Sequence, residues 1–217
     1  TYINDAYRNL NYYTQATGVD VEIQFCLAQR DLDGNAFSVI RRNQSPATDM
    51  SVPSGITLTS IINWDTKDYI NNTLVREVCY GVNCGTAGFA VYGPTQGDPV
   101  DGITMEAKYF GSSPENNVVI ALEMGHYLGL RHTFQSGCKN DDCLVDGDAI
   151  CDTPPDNSTG FLPCTGAYNT CTTDADDPFA NNPFRSPALS GLGDQPDMSR
   201  NYMDYSPYSC YDRFTNG

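Results

Sequence analysis

Both histidines of the chain and one carboxylate stand close together in the stretch Ala121-Leu-Glu-Met-Gly-His-Tyr-Leu-Gly-Leu-Arg-His132. Residues four apart on a helix lie one above the other, so side chains at 122 and 126 face the same point in space. The pattern H-E-x-x-H-x-x-G-x-x-H uses that spacing to aim two ring nitrogens at one metal ion. It sets a carboxylate one step round, where it can take a proton from water, and lets a third ring fold back past a glycine. Glu123, His126, Gly129 and His132 are in register with the pattern, while position 122 holds leucine, which has no lone pair. A catalytic zinc takes three protein ligands and keeps one position open for water. This stretch supplies two ligands, His126 and His132, with Glu123 as the general base. Leu122 is an inactivating substitution, a natural loss, or the sign of a third ligand from a carboxylate, a water or a cysteine elsewhere.

The elements that must position these groups can be read from periodicity. Ser113 and Pro114 offer an N-cap and a first-turn proline for a helix running to about residue 130, and Gly129 supplies the positive φ for a sharp turn after it. Residues 101–110 alternate like a strand bordering a cleft. Earlier strands are expected at 19–30 (Val21, Ile23 and Phe25 on one face), 36–42 and 69–78, with a turn at 31–35 and a short glycine-bounded strand at 88–93. Residues 43–66 read as a loop with a little helix, and 1–17 as a polar, tyrosine-rich entry segment. Beyond His132 the periodicity disappears, and 133–200 read as a long irregular region held by other means than a core.

Composition narrows the class. The 217 residues suit one domain, with two lobes around a cleft. A net charge of −15 argues against nucleic-acid or anionic-membrane partners, and no apolar run is long enough to span a bilayer. No signal peptide is visible, and Thr1 reads as the start of a mature or trimmed chain. Nine cysteines in loops rich in Asp, Asn, Pro and Gly point to a disulfide-stapled, secreted protein. Cys79 and Cys84 are spaced to close a short loop, and Cys26, in an apolar strand pattern, is the candidate for the unpaired thiol. Asn43, Asn71 and Asn157 match the glycosylation pattern. Asp146, Asp148 and Asp152 offer hard oxygen ligands at short spacing, with Gly147 allowing the turn and Thr153 adding an oxygen, a set that suits calcium better than zinc.

The stretch Glu123-Met-Gly-His-Tyr-Leu-Gly-Leu-Arg-His-Thr-Phe134 resembles the metzincin metalloproteases, and within them the pappalysin group. Asn201-Tyr-Met-Asp-Tyr205, followed by Cys210, resembles that family's Met-turn, and Asp146-Gly-Asp-Ala-Ile-Cys-Asp-Thr-Pro154 its calcium loop. The resemblance implies a single α+β domain over 1–217. Its upper lobe, 1–130, would hold a twisted sheet and the active-site helix; its lower lobe, 131–217, would be irregular and held by disulfides and calcium. It implies that Met203 floors the metal and that Tyr205 stabilises the oxyanion. It also implies that Cys138 or Cys143 pairs with Cys171, and Cys164 with Cys210.

The activity implied is that of a secreted zinc endopeptidase, a monomer taking a protein or peptide substrate in an extended cleft. Leu122 leaves this sequence impaired or inactive, the alternative being a pseudoprotease that binds peptides or a partner without cutting. A calcium-stabilised structural domain is a third option. Two further departures stand out. Ser209 occupies a position where some relatives that cut before Arg or Lys carry an acidic residue, and the chain stops at Gly217 where relatives continue into a helix, so it reads as a fragment.

Overall fold

A computed structural model of the protein describes residues 2–38, 40–45, 49–52 (by backbone alone), 64–92, 97–157, 160, 163–164, 166–176 and 178–217. They form two compact units, one of Gln24–Gly129 and one of Ile3–Ile23 with Leu130–Gly217.

In the unit Gln24–Gly129 the expected sheet is present, among the described residues, as two three-stranded sheets. In the first, β1 (Asp49–Val52) runs parallel to β3 (Glu77–Tyr80), which pairs antiparallel with β4 (Asn83–Cys84). In the second, β6 (Ile103–Glu106) lies between β2 (Asn72–Val75), parallel to it, and β5 (Gly88–Ala90), antiparallel to it. The expected strand at 69–78 is thus β2 and the start of β3, and the chain changes sheets at Arg76. Glu106, wholly buried, ties the sheets together: its Oε1 accepts the Val78 N–H at 3.1 Å. The Cys79–Cys84 disulfide closes the β3–β4 hairpin, as the spacing suggested.

The helix α2 (Val118–Tyr127) packs on β5 and β6. It starts later than expected. Ser113 Oγ accepts the Asn116 N–H and its carbonyl the Asn117 N–H, which makes 114–117 a turn leading into the helix. Every residue from Val118 to Gly125 is buried, so α2 carries no polar stripe. With Val75, Val78, Ile103 and Met105 it forms the core of this unit.

Among the described residues the strands expected at 19–30 and 36–42 do not form. The turn at 31–35 does form, around Asp31 Oδ1, which accepts the N–H groups of Asp33 and Asn35. Only one antiparallel bridge, Arg30↔Ala36, flanks it. An isolated hairpin is marginal in water, and among the described residues no third strand joins this one. Leu27, Leu32 and Ile40 are accordingly exposed. Cys26 is the unpaired cysteine, but it is exposed rather than packed in a strand. β1 falls within the stretch expected to be a loop; residues 46–48 and 53–63 of that stretch lie outside the described residues.

The other unit is mostly irregular. It opens with α1 (Tyr2–Tyr7) and a 3₁₀ turn at Asn11–Tyr13, and three more 3₁₀ turns follow far along the chain. Tyr7, Tyr13, Tyr202 and Phe214 make a buried aromatic cluster, with Tyr202 and Phe214 ring centres 4.7 Å apart. Disulfides Cys138–Cys171, Cys143–Cys151 and Cys164–Cys210 hold the rest. Of the two partners expected for Cys171 the structure takes Cys138, and Cys143 closes its own short loop instead. Among the described residues no helix is long and apolar enough to cross a membrane.

Candidate metal centre

Leu122 and His126 are stacked one turn apart on α2, and Leu122 is 9 % exposed. Glu123 is buried beside it. Its carboxyl receives the Ala90 N–H from β5, while Oε2 is buried with no hydrogen-bond partner. Loss of water around the charged form pushes its pKa up to about 8, against the smaller opposite pull of the Ala90 N–H. β5 comes this close to α2 because Gly88 has no side chain. A Cβ there would sit 2.9 Å from Met105 Cβ and 3.2 Å from Glu123 Cγ. One turn past Glu123, the helix ends. The Gly129 N–H donates to the His126 carbonyl at 2.9 Å and Gly129 adopts φ 102°. Tyr127 fixes this end of the helix with a 3.1 Å hydrogen bond from its hydroxyl to Asp101 Oδ2.

In the other unit, His132, Met203 and Tyr205 come together. Asn201 shapes the turn: its Oδ1 accepts the Met203 N–H at 2.9 Å and its carbonyl the Asp204 N–H at 3.1 Å. The Met203 side chain is buried, and its carbonyl points at His132 Nδ1, 2.9 Å away. With the proton on Nδ1, Nε2 carries the lone pair that a metal needs. Phe134 stacks on the imidazole (centroids 4.6 Å, 12°) and Tyr205 meets it edge-on at 4.5 Å. Tyr205 is 39 % exposed, so it is not an ordinary buried tyrosine.

His132 Nδ1 meets the Met203 carbonyl, which leaves Nε2 directed away from it, and Glu123 Oε2 is buried without a partner. Leu122 offers no lone pair to a metal, and a catalytic zinc takes three protein ligands.

The acidic loop divides. Asp148 is buried, which pushes its pKa up to about 7 against the smaller opposite pull of the Thr153 side chain, itself buried beside it. With Asn140, both line one cavity. A hard cation fits that pair of adjacent oxygens, since it would bind both and ionise the carboxyl. Asp146 is engaged by Lys139 Nζ at 2.6 Å, which holds its carboxyl below the usual range. Asp152 accepts from Thr215 Oγ1 at 2.7 Å and from the Asn216 N–H at 2.9 Å. Among the described residues the three carboxylates do not close to within 4.8 Å of one another.

Spacing gave no sign of the Ala90 N–H on Glu123, of Phe134 stacking on His132, or of Asp156, which reaches Thr133 from a distant loop. These contacts depend on strand approach and loop closure, which leave no local pattern. Of the glycosylation candidates, Asn71 is already engaged, its amide exchanging two hydrogen bonds with the Trp64 backbone.

Residues 58–217 match the peptidase M43 family model, described as pregnancy-associated plasma protein-A. An extracellular metalloprotease of Podospora anserina is 30 % identical over 234 residues, covering 94 % of this chain and 71 % of its own length. Another, from Verticillium alfalfae, is 32 % identical over 140 residues, 61 % of this chain and 40 % of its own. Mature mirolysin of Tannerella forsythia, solved with a cleaved peptide, superposes with a TM-score of 0.69 at 22 % identity, over 99 % of this chain and 77 % of that one. The helix with Glu123 and His126, the turn at Met203 and the four disulfides sit in a metzincin-type α+β fold. By sequence the chain belongs to the peptidase M43, or pappalysin, family of metalloproteases.

Proposed function

We propose that the chain is an extracellular endopeptidase domain of metzincin type whose zinc site is one ligand short, so that this sequence hydrolyses peptide bonds poorly or not at all. The reading rests most on Glu123, a buried carboxylate with one unpartnered oxygen on the family's active-site helix. In the intact reaction such a group accepts the proton of the attacking water and passes it to the leaving amine. The Tyr205 hydroxyl, beside His132, would donate to the oxyanion of the tetrahedral intermediate. The substrate is an extended peptide or unfolded protein segment, the chain acts as a monomer, and calcium supports the irregular unit through Asp148 and Thr153.

Leu122 also favours a second reading, a pseudoprotease that holds a peptide without cutting it. One experiment separates the two: zinc titration of this chain and of Leu122→His, followed by incubation of each with a denatured protein. The endopeptidase reading expects one tightly bound zinc and new cleavage products only with Leu122→His. Losing even an outer partner of a ligand weakens metal binding by roughly 10–100-fold, and losing the ligand itself weakens it further. A Leu122→His protein that binds zinc yet cuts nothing would leave the binding reading standing and remove the first.

A further inference from the structure

Behind the turn that carries Met203, two acidic side chains meet with one hydrogen too few. Asp156 is wholly buried and Asp204 is 3 % exposed. Asp156 accepts from Thr170 Oγ1 on Oδ1 (3.1 Å) and from Thr133 Oγ1 on Oδ2 (3.4 Å). Asp204 accepts from Ser206 Oγ on Oδ2 (2.8 Å) and its carboxyl also meets the Tyr205 N–H, while Oδ1 is buried with no side-chain donor. The carboxyls of Asp204 and Asp156 are in hydrogen-bonding contact with each other. Two ionised carboxylates repel at that range and neither can donate; one proton between them removes the repulsion and supplies the missing donor.

The pair is built into the frame of the ring. Thr133, which reaches Asp156, directly follows His132, and Asp204 directly follows Met203. The Thr133 N–H and His132 Nδ1 both meet the Met203 carbonyl, at 3.2 and 2.9 Å. The bonds from ring to carbonyl, from carbonyl to Thr133 and from Thr133 to Asp156 are closed into a loop by the contact with Asp204. We propose that Asp156 and Asp204 share one proton, and that this shared hydrogen bond positions the Met203 carbonyl on His132 and so fixes the tautomer of the ring. The catalytic meaning rests on reading His132 as a zinc ligand; the pair itself does not.

Other groups around the pair agree with a retained proton. Asp197 adds negative charge beside both carboxyls, and burial raises the pKa of Asp204. Tyr211 donates its hydroxyl to the Asp204 carbonyl and is itself raised by burial. A carboxyl with a raised folded-state pKa contributes stability that is present at low pH and lost as pH rises through that value.

Asp204→Asn tests this, because its amide N–H gives Asp156 a permanent donor. The measurement is the unfolding midpoint of wild type, Asp204→Asn and Asp204→Ala from about pH 5 to about pH 9, read as differences so that other raised carboxyls cancel. Wild type should lose stability with rising pH more steeply than Asp204→Asn, and Asp204→Ala should be lower than Asp204→Asn by a few degrees throughout. With only two histidines in the chain, ring nitrogen NMR reports the second half: the Nδ1–H tautomer of His132 should persist in Asp204→Asn and be lost in Asp204→Ala. Should Asp204→Ala not fold, Asp156→Asn takes over, expected to match Asp204→Asn in both readouts. An Asp204→Asn curve as steep as wild type overturns the shared proton, and a tautomer that ignores Asp204→Ala overturns the positioning role. Neither readout involves zinc or cleavage, so failure here is distinct from failure of the Leu122→His test.

Discussion

Glu123 shows how one residue's surroundings set its chemistry. A carboxylate in water has no use as a base near neutral pH, because its proton is too weakly held. Buried on α2 with one oxygen unpartnered, Glu123 has its pKa pushed up to about 8. That has a thermodynamic consequence apart from any metal. The folded-state pKa lies above the ordinary value of 4.5, so the neutral form stabilises the fold at low pH and that stability is lost as pH rises to about 8. At roughly 1.36 kcal/mol per unit, Glu123 should remove about 4 kcal/mol of unfolding free energy between about pH 5 and about pH 9. Glu123→Gln, which cannot ionise, should be spared that loss. Denaturant unfolding of both proteins at the two pH values measures it, and parallel losses would mean that the carboxyl is hydrated. The one-turn spacing of Leu122 and His126 was legible in sequence because residues four apart lie about one helical turn apart, a purely local relation. The pKa was not legible, because it depends on β5 passing close by at Gly88.

At the scale of elements, the same division between local and distant causes explains what could be foreseen. α2 and β6 were placed approximately by periodicity, and the Asp31 turn by its Asp and Gly. The strands at 19–30 and 36–42 had the right alternation, but a strand exists only where another chain segment pairs with it, and no pattern within the segment reports that. The disulfides obey a similar rule: Cys79–Cys84 was close enough to infer, whereas Cys171 had two candidate partners until the fold chose Cys138. Their contributions should also follow the length of chain they close. In the loop-entropy account, Cys164–Cys210, with a separation of 46, contributes about 4 kcal/mol, and Cys79–Cys84, with a separation of 5, about 2 kcal/mol. Paired serine replacements of each bridge should therefore lower the denaturant midpoint unequally, with Cys164→Ser/Cys210→Ser the larger. Equal losses would shift the explanation to packing around the sulfurs.

For the molecule as a whole, a net charge of −15 and a unit with little regular structure make bound cations a natural stabiliser. Asp148 and Thr153 are where one fits: a carboxyl with its pKa pushed up to about 7 by burial, beside the buried Thr153 side chain. Without a cation, the sign is that of a raised carboxyl, so Asp148 lowers stability as pH climbs through about 7. With calcium the sign reverses, because the ion binds the ionised form and releases the proton, and the stabilisation then grows as pH rises through the same range. At a calcium concentration 100 times the dissociation constant the gain would be about 2.7 kcal/mol. Melting curves with calcium and with a chelator, at about pH 6 and about pH 8, should therefore diverge mainly at the higher pH. Asp148→Asn should abolish the divergence, whereas Asp152→Asn, whose carboxylate is occupied by Thr215 and Asn216, should only reduce it. A calcium response unchanged in Asp148→Asn would place the ion elsewhere.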